Sequence, residues 1–227
     1  MHGFLLVDKP VDWTSHDVVA YLRGALRIKK IGHAGTLDPF TTGLLIVGVG
    51  REATKRLDEF KGMEKEYIAT IELGVSSDTY DATGAITENP QGNTQPHPST
   101  EQIHNVLHQF IGMQEQIPPM FSAKKLHGKK LYELARKGLE VERQPNEIEV
   151  FSIELLSYSY PHLEIKITCS TGTYIRSLAH DIGTKIGTGG LCKELRRTKI
   201  GTYSVKHATG PKNISQANCE QHFIRTT

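Results

Sequence analysis

One carboxylate, Asp38, stands out in the sequence because its neighbours restrict the backbone on both sides of it. It lies in the stretch I-G-H-A-G-T-L-D-P-F-T-T-G, Ile31 to Gly43. The glycines there allow backbone dihedrals that are closed to other residues, while Pro39 fixes its own φ and restricts Asp38 just before it. A carboxylate held rigidly in a loop suggests chemistry, although Asp-Pro among glycines and threonines is also typical of an ordinary turn. The rest of the chain has to decide between the two interpretations.

Positive charge is clustered, although the chain carries a net charge of only +2 and has a pI near 8.3. Residues 124–137 contain six basic side chains against one acidic one, and residues 193–199 contain four against one. Such clusters fit contacts to nucleic acid phosphates, or form the solvated face of a helix. Aromatic residues close to these segments can stack on unpaired bases or belong to the core: Tyr67, Phe121, Tyr132 and Tyr174. RNA or DNA is the expected class of partner.

Length and composition exclude several classes of protein. The 227 residues, of which 37% are hydrophobic, predict one globular domain over 1–227. The longest apolar run, Leu44 to Val49, is too short to cross a bilayer, and no signal segment opens the chain, so a cytoplasmic protein is expected. Three cysteines without a C-x-x-C pair indicate neither a disulfide framework nor a zinc site. No P-loop, dinucleotide fingerprint or cluster of metal ligands is visible.

The elements that must position Asp38 can be predicted from hydrophobic spacing. Gly3 to Val7 predicts a short buried strand, and Thr14 with Asp17 resembles a capping box that begins an amphipathic helix. Leu44 to Val49 is a continuous apolar run of strand length, which places Asp38 just outside the edge or end of a sheet. Loops fixed to rigid strands are common places for chemistry.

The remaining two thirds of the chain alternate between strand and helix patterns. The first predictions are a strand at Lys65–Leu73, a polar loop at Asp78–Gly84, a linker at Asn89–Pro98 and a helix capped by Ser99 and Gln102. A basic insertion at 118–138 follows and closes with a short helix at Gly138. The last predictions are strands at Glu147–Tyr160 and Leu163–Cys169, a helix from near Thr173 to Gly187, and a final strand.

Several motifs together resemble the bacterial tRNA pseudouridine-55 synthases, the TruB family. The stretch G-H-A-G-T-L-D-P-F-T-T-G around Asp38 is similar to the catalytic motif of that family, which is close to G-H-x-G-x-L-D-P-x-A-x-G. Further matches follow in the family's order: L-L-V-D-K-P, K-E-Y-I-A-T-I-E-L-G, D-T-Y-D-A-T-G, P-P-M-F-S-A-K-K-L-H-G-K-K-L-Y-E-L-A-R-K-G, C-S-T-G-T-Y-I-R and L-R-R-T-K-I-G. The resemblance covers nearly the whole chain.

The resemblance implies an α+β catalytic domain with a mixed central β-sheet flanked by helices and a basic RNA-clamping insertion. It implies conversion of uridine 55 in the TΨC loop of tRNA to pseudouridine, with no cofactor and no metal. It also implies a monomer that binds the T-arm and requires no protein partner. Asp38 would be the nucleophile, adding either to the base or to the ribose, and the sequence leaves both routes open.

The same resemblance assigns roles to individual side chains. Arg176, in the Y-I-R motif, would hold Asp38 and keep it charged by ion pairing, whereas its plainer alternative is a structural salt bridge. Tyr67 would stack on the target base and relay the C5 proton, and Leu195 would pack near the everted base. His33 would help to hold the nucleotide out of the RNA stack.

Two further parts of the family pattern concern the binding surface. Lys9 and Pro10 match a Lys-Pro pair that shapes the active-site floor. The insertion at 118–138 would clamp the RNA through phosphate contacts, which makes binding salt-sensitive. Its lysines are the expected contacts: Lys124, Lys125, Lys129 and Lys130.

The chain departs from the family pattern at three places. Phe121 stands where tyrosine is common, and Thr41 or Thr42 where alanine is usual. Residues 206–227 are too few for the RNA-binding PUA domain of many members. Two other functions stay open: a pseudouridine synthase relative that depends on guide RNA, and a tRNA-binding or RNA-folding protein on the same scaffold without catalysis.

Overall fold

The computed structural model describes residues 2–89, 96–126 and 128–224. In chain order, the first half contains β1 (Gly3–Lys9), α1 (Ser15–Leu26), β2 (Ile31–Ala34), β3 (Thr42–Val49), α2 (Arg51–Lys55), α3 (Asp58–Lys61), β4 (Lys65–Leu73), β5 (Val75–Ser77), β6 (Ile86–Glu88), α4 (Thr100–His108) and β7 (Gly112–Gln116). The second half contains β8 (Lys125–Leu126), β9 (Lys129–Lys130), α5 (Leu131–Ala135), β10 (Asn146–Ser159), β11 (His162–Cys169), α6 (Ile175–Ile186), β12 (Gly190–Ile200), β13 (Tyr203–Ser204) and β14 (Phe223–Ile224).

The chain divides into two compact units. The first unit holds the described residues up to Ile68 and those from Leu195 onward, and the second holds Ala69–Glu194. The chain passes from one unit to the other within β4 and within β12. No helix in the described ranges is long and apolar enough to cross a membrane.

The first unit is built on a mixed sheet in the order β14, β1, β3, β12 and β4. Strand β3 runs antiparallel to β1 and to β2 but parallel to β12. The predicted mixed central sheet is therefore confirmed, and helices cover both faces of this part of it. Alternate side chains of β1 and β3 face α1 on one side (Leu5, Val7, Leu45 and Val47) and α2 with α3 on the other (Phe4, Leu6, Leu44 and Ile46).

Helix α1 begins where its sequence predicts. The Thr14 hydroxyl accepts a hydrogen bond from the Asp17 amide (3.0 Å), while the Asp17 carboxylate accepts one from the Thr14 amide (2.8 Å). This reciprocal cap satisfies two amides that the helix itself leaves unbonded. The buried side of α1 is the predicted set Val18, Val19, Leu22 and Leu26.

The second unit contains strands in the order β4, β11, β10 and β7, with the short hairpins β5–β6 and β8–β9 beside them. Strands β10 and β11 form the predicted antiparallel pair, and β10 also pairs with β7. The predicted Ser99–Gln102 cap begins α4. Helix α6 matches the predicted apolar spacing, and it ends at Gly187, which adopts the left-handed conformation (φ 91°) expected of a helix C-terminus.

Several elements differ from the sequence predictions. Strand β1 continues to Lys9 rather than ending at Val7, because the last residues of the strand pair with the start of β3. Strands β2, β5 to β9 and β14 were not predicted. The α-helical turns of α5 end at Ala135, and Gly138 takes the left-handed conformation (φ 70°) predicted for the residue that closes this helix. Of the predicted linker, residues 90–95 lie outside the described ranges.

Candidate active site

The Asp38 loop joins β2 to β3 in the first unit, and the Ser15 side chain at the start of α1 holds it by hydrogen bonds. The Ser15 hydroxyl accepts a hydrogen bond from the Leu37 amide (2.8 Å) and donates one to the Leu37 carbonyl (3.3 Å). The carbonyl of Pro39 accepts a hydrogen bond from the amide of Asp12 (2.9 Å). Both neighbours of Asp38 are thus tied to the segment around the start of α1, so the loop is the restrained one that the sequence predicts.

Lys9 is a fully buried cation beneath this loop. Its ammonium donates to the carbonyls of Pro10 (2.8 Å), Trp13 (2.5 Å) and Pro39 (3.1 Å). Burial lowers the pKa of Lys9 from 10.5 to about 8, and the negative charge of Asp38 opposes that shift. The interaction is reciprocal, so the lysine charge favours the ionised carboxylate of Asp38. Lys9 therefore contacts the Asp38 loop and contributes to its electrostatics, while its place in an active-site floor stays a prediction.

Arg197 is a second buried cation of the same unit, with 2% of its surface exposed. Its guanidinium donates to the Leu44 carbonyl (2.8 Å) and to the Gly35 carbonyl (3.0 Å). The sequence placed Arg197 in a basic cluster that could meet phosphates or solvent, and burial contradicts both interpretations for this residue. Its partners are carbonyls far away in the chain, which residue spacing does not reveal.

His33 lies on β2 in the same unit, where its surroundings favour the neutral imidazole. Burial is the main cause that lowers the pKa of His33, and the charge of Arg197 adds to the effect. Its Nδ1 is buried and has no hydrogen-bond partner among the described residues. A neutral imidazole can donate one hydrogen bond and accept another, which suits recognition of a base or a ribose.

Tyr67 and Leu195 also belong to the first unit, on β4 and β12. These residues are 9% and 8% exposed, so each keeps a small part of its surface open to solvent. Among the residues that depart from the family pattern, Thr41 is 1% exposed, and its hydroxyl has no hydrogen-bond partner in the described part of the chain. The neighbouring Thr42 hydroxyl instead contacts Arg196 (3.3 Å).

Arg176 belongs to the second unit and sits at the first turn of α6. Its guanidinium donates to the carbonyls of Thr79 (2.8 Å) and Phe121 (2.7 Å) and pairs with the carboxylate of Asp81 at 3.3 Å. Both side chains of the pair are less than a tenth exposed. The structural salt bridge considered as the plainer alternative for Arg176 is therefore present, and it connects α6 to the D-T-Y-D loop and to the root of the basic insertion.

Asp81 is the functional candidate that sequence reasoning missed in this unit. Its carboxylate accepts hydrogen bonds from the Thr79 hydroxyl (2.8 Å) and from the Thr83 amide (2.9 Å), in addition to the contact with Arg176. The turn also needs Gly84, since a Cβ there would lie 2.2 Å from the Asp78 carboxylate. The spacing of D-T-Y-D-A-T-G indicated only a polar loop, although its Asp, Thr and Gly residues are the ones that this arrangement uses.

The start of α6 is held by a side chain of strand β7. The Gln116 amide group accepts a hydrogen bond from the Tyr174 amide (2.7 Å) and donates one to the Tyr174 carbonyl (3.0 Å). One residue further on, the Ile117 carbonyl accepts a hydrogen bond from the Ser177 hydroxyl (3.0 Å). The backbone on either side of Arg176 is thus fixed to one strand end.

The basic insertion in the second unit contains the β8–β9 hairpin and α5. The Lys124 ammonium is bound within the protein by the Asn146 side chain and the Gln144 carbonyl, and Lys130 lies against Tyr132 (3.2 Å to the hydroxyl). Lys129 is exposed. The side chain of Lys125 lies outside the described part of the structure.

The predicted site residues are divided between the two compact units. Lys9, His33, Asp38, Tyr67 and Leu195 belong to the first unit, and Lys9 and Asp38 interact directly through charge. The predicted residues of the second unit are Arg176 and the insertion lysines.

Two family models match the chain. One, described as the TruB family pseudouridylate synthase (N terminal domain), matches residues 23–175, and the other, described as the tRNA pseudouridylate synthase B C-terminal domain, matches residues 176–223.

Two relatives of high sequence identity share the name tRNA pseudouridine synthase B. A tRNA pseudouridine synthase B of Protochlamydia amoebophila is 49% identical over 226 residues, which is 99% of this chain and 84% of that protein. One of Clostridium tetani is 42% identical over 224 residues, which is 99% of this chain and 76% of that protein.

Solved structures show the same architecture. A chain of a Cbf5-Nop10-Gar1 complex matches 92% of this chain with a TM-score of 0.71 and 29% identity, and one of an H/ACA RNP bound to a substrate RNA containing 2′-deoxyuridine matches 92% with a TM-score of 0.67 and 27% identity. This chain spans about half the length of each, 52% and 50%.

Proposed function

The chain belongs to the TruB family of pseudouridylate synthases, and from that premise we propose that it converts uridine 55 in the TΨC loop of tRNA to pseudouridine. The observation that carries the proposal is the restrained Asp38 loop, with its two neighbouring residues tied to Ser15 and Asp12 and with the Lys9 cation beneath it. Relatives named tRNA pseudouridine synthase B that align over 99% of the chain support tRNA as the substrate.

Asp38 is the proposed nucleophile. Its carboxylate adds to the uracil ring or to C1′ of the ribose, and the N1–C1′ bond breaks. The uracil then turns, a C5–C1′ bond forms and the bond to Asp38 breaks; the proton on C5 is lost while N1 gains one, so the product is an isomer of the substrate. An anionic carboxylate is the reactive form, and the nearby Lys9 charge favours it.

The target nucleotide must leave the RNA stack to reach a carboxylate in a loop of the protein. We assign Tyr67 to stacking on the everted base and to relay of the C5 proton, and Leu195 to apolar packing near that base. His33, whose pKa is lowered by burial, is assigned to hydrogen bonding that keeps the RNA open. The small but nonzero exposure of Tyr67 and Leu195 suits residues that meet a ligand on binding.

Arg176 is kept as a proposed catalytic residue because it matches the arginine of the family's Y-I-R motif. Its observed contacts with Thr79, Phe121 and Asp81 add a second role, the positioning of the insertion root. For the insertion at 118–138 we propose phosphate contacts along the T-arm, led by the exposed Lys129. A single catalytic domain over residues 1–227 stays a prediction.

The experiment compares Asp38→Asn with the exposed control Asp58→Asn. Tritium release from a tRNA transcript labelled at C5 of uridine should vanish in the first variant and persist in the second, while both still bind tRNA. Mass spectrometry of digested tRNA then locates the product. Full activity of Asp38→Asn would disprove the nucleophile, and a product away from position 55 would disprove the assigned site.

A guide-dependent relative is the second candidate, and the similarity to chains of H/ACA complexes motivates its test. The purified chain alone is given an isolated T-arm stem-loop, with no other RNA present. Turnover without any other RNA or protein excludes the guide-dependent candidate. Binding without turnover on both this RNA and full-length tRNA would favour a tRNA-binding protein without catalysis.

A further inference from the structure

Arg197 is a buried cation that no described carboxylate neutralises through an ion pair. It is 2% exposed, and its guanidinium bonds only to backbone carbonyls among the contacts within the described ranges. Burial of a charge without a partner of opposite sign lowers the stability of the folded protein. A residue that carries this penalty is therefore a candidate for a role other than stabilising the core.

Its two carbonyl partners lie on either side of Asp38. Gly35 comes three residues before the carboxylate, at the start of the loop, and Leu44 comes six residues after it, as the third residue of β3. The backbone of β12 also pairs with Gly43 of β3, where a Cβ would lie 2.3 Å from the Arg197 carbonyl oxygen. One side chain therefore joins the start of the loop to the strand that follows it, while its own backbone fixes the start of that strand.

The charge of Arg197 also reaches the other groups around the loop. It lowers the pKa of His33 and contributes to lowering the pKa of Lys9. The groups that act on His33 besides burial are Arg197, His16 and Lys61, all of which lower its pKa. Removal of one positive charge at position 197 should therefore be visible in the titration of His33.

We infer that Arg197 is a positioning residue for the proposed reaction, which holds the start of the Asp38 loop to the strand that follows the loop. It acts through Gly35 and Leu44 and does not touch the reacting atoms. The inference rests on the proposed function, because its kinetic consequence requires that Asp38 be the nucleophile.

The first test uses Arg197→Met, which has a similar reach but lacks the charge and the donors, and Arg51→Met as an exposed control on α2 of the same unit. A displacement of the nucleophile by about 1 Å lowers kcat roughly a hundredfold, so we expect a loss of that order with unchanged tRNA affinity. Arg197→Lys should recover part of kcat, since it keeps the charge and one donor. Unchanged kcat in folded Arg197→Met would overturn the inference.

The second test does not depend on turnover. Proton NMR of His33 should show a higher pKa in Arg197→Met than in wild type, and an unshifted one in Arg51→Met. Exchange of the Leu37 amide, which Ser15 holds, should be faster in Arg197→Met than in either control. If wild type fails to modify tRNA, the proposed function fails, yet these two measurements still decide whether Arg197 holds the loop.

If Arg197→Met does not fold, Gly35→Ala examines the same contact from the loop side. Gly35 has φ 75°, and a Cβ there would lie 3.4 Å from the Arg197 guanidinium. The Cβ would only touch the guanidinium, but alanine is strained at this left-handed φ, so the backbone at position 35 should shift against Arg197 while the charge stays. We therefore expect kcat to fall while the His33 titration stays close to the wild-type value. Full kcat with wild-type amide exchange at Leu37 would contradict the proposed role.

Discussion

The guanidinium of Arg176 and the carboxylate of Asp81 form a buried ion pair at 3.3 Å. The remaining acceptor capacity of Asp81 is used by the Thr79 hydroxyl and the Thr83 amide. The pair thus combines opposite charges with nearly complete hydrogen bonding, which is the condition under which a buried ion pair is tolerated. The same guanidinium also donates a hydrogen bond to the Phe121 carbonyl, which links α6 to the root of the insertion.

Asp81→Asn should destabilise the protein by about 3 kcal/mol, since it removes the carboxylate partner of a buried guanidinium while keeping the shape of the side chain. Urea denaturation followed by circular dichroism measures the loss. The exposed Asp78→Asn, which keeps an acceptor for the Ala85 amide, is the control and should change stability by less than about 1 kcal/mol. Equal effects of the two variants would show that the ion pair contributes little.

Lys9 should give stability an unusual dependence on pH. Its pKa is about 8 in the folded protein and 10.5 as an ordinary lysine, so the unfolded chain binds more protons between those values. The burial penalty is therefore fully present below pH 8 and is relieved as pH rises through this window. The unfolding free energy of wild type, relative to Lys9→Met, should increase by about 3 kcal/mol between pH 7 and pH 10.5. A constant difference across the range would refute the lowered pKa.

Two glycines of the first unit should respond to alanine in opposite directions. At Gly43, φ is 103° and a Cβ would lie 2.3 Å from a backbone oxygen of Arg197, so Gly43→Ala must separate β3 from β12 and cost about 3 kcal/mol or more. At Gly24, within α1, a Cβ would meet nothing within 4 Å, so Gly24→Ala should add about 1 kcal/mol. Thermal denaturation of both variants checks the pair, and stabilisation at position 43 would contradict the close approach.

The insertion lysines should differ in their contribution to RNA binding. Lys129 is exposed, and Lys129→Gln should reduce the slope of log Kd against log salt by about 1. The Lys124 ammonium is already bound by Asn146 and Gln144, so Lys124→Gln should leave that slope close to wild type. Filter binding of tRNA at several salt concentrations distinguishes them. A larger change for Lys124 would mean that its internal contacts are exchanged for phosphate.

Local patterns were sufficient for much of the fold. The Thr14–Asp17 and Ser99–Gln102 caps and the alternation of β4 are decided by residues within a few positions of one another. Strand β2, by contrast, is four residues long and contains a glycine, and it exists because β3 offers it a partner. No periodicity in I-G-H-A could have indicated that pairing.

The same distinction separates the site residues. Asp38 was visible because Gly35 and Pro39 mark its loop locally, and the family resemblance supplied roles for Tyr67 and Arg176. Arg197 and Asp81 were missed because their roles depend on distant partners, such as the Leu44 carbonyl for Arg197. The sequence does not show whether an arginine is buried or exposed, so only the packed structure identifies Arg197 as the arginine that is bonded to the loop.

The hydrogen bond from the Arg197 guanidinium to the Gly35 carbonyl joins residues that are 162 positions apart in the chain. At a synthesis rate of about 5 to 20 residues per second, the ribosome adds the second of these roughly 8 to 30 s after the first. During that interval the Asp38 loop lacks the hydrogen bonds from Arg197. Contacts between residues so far apart in the chain also slow folding. A ribosome-bound chain that ends before residue 197 should be inactive, so the nascent protein acquires its proposed chemistry only after residue 197 has been added.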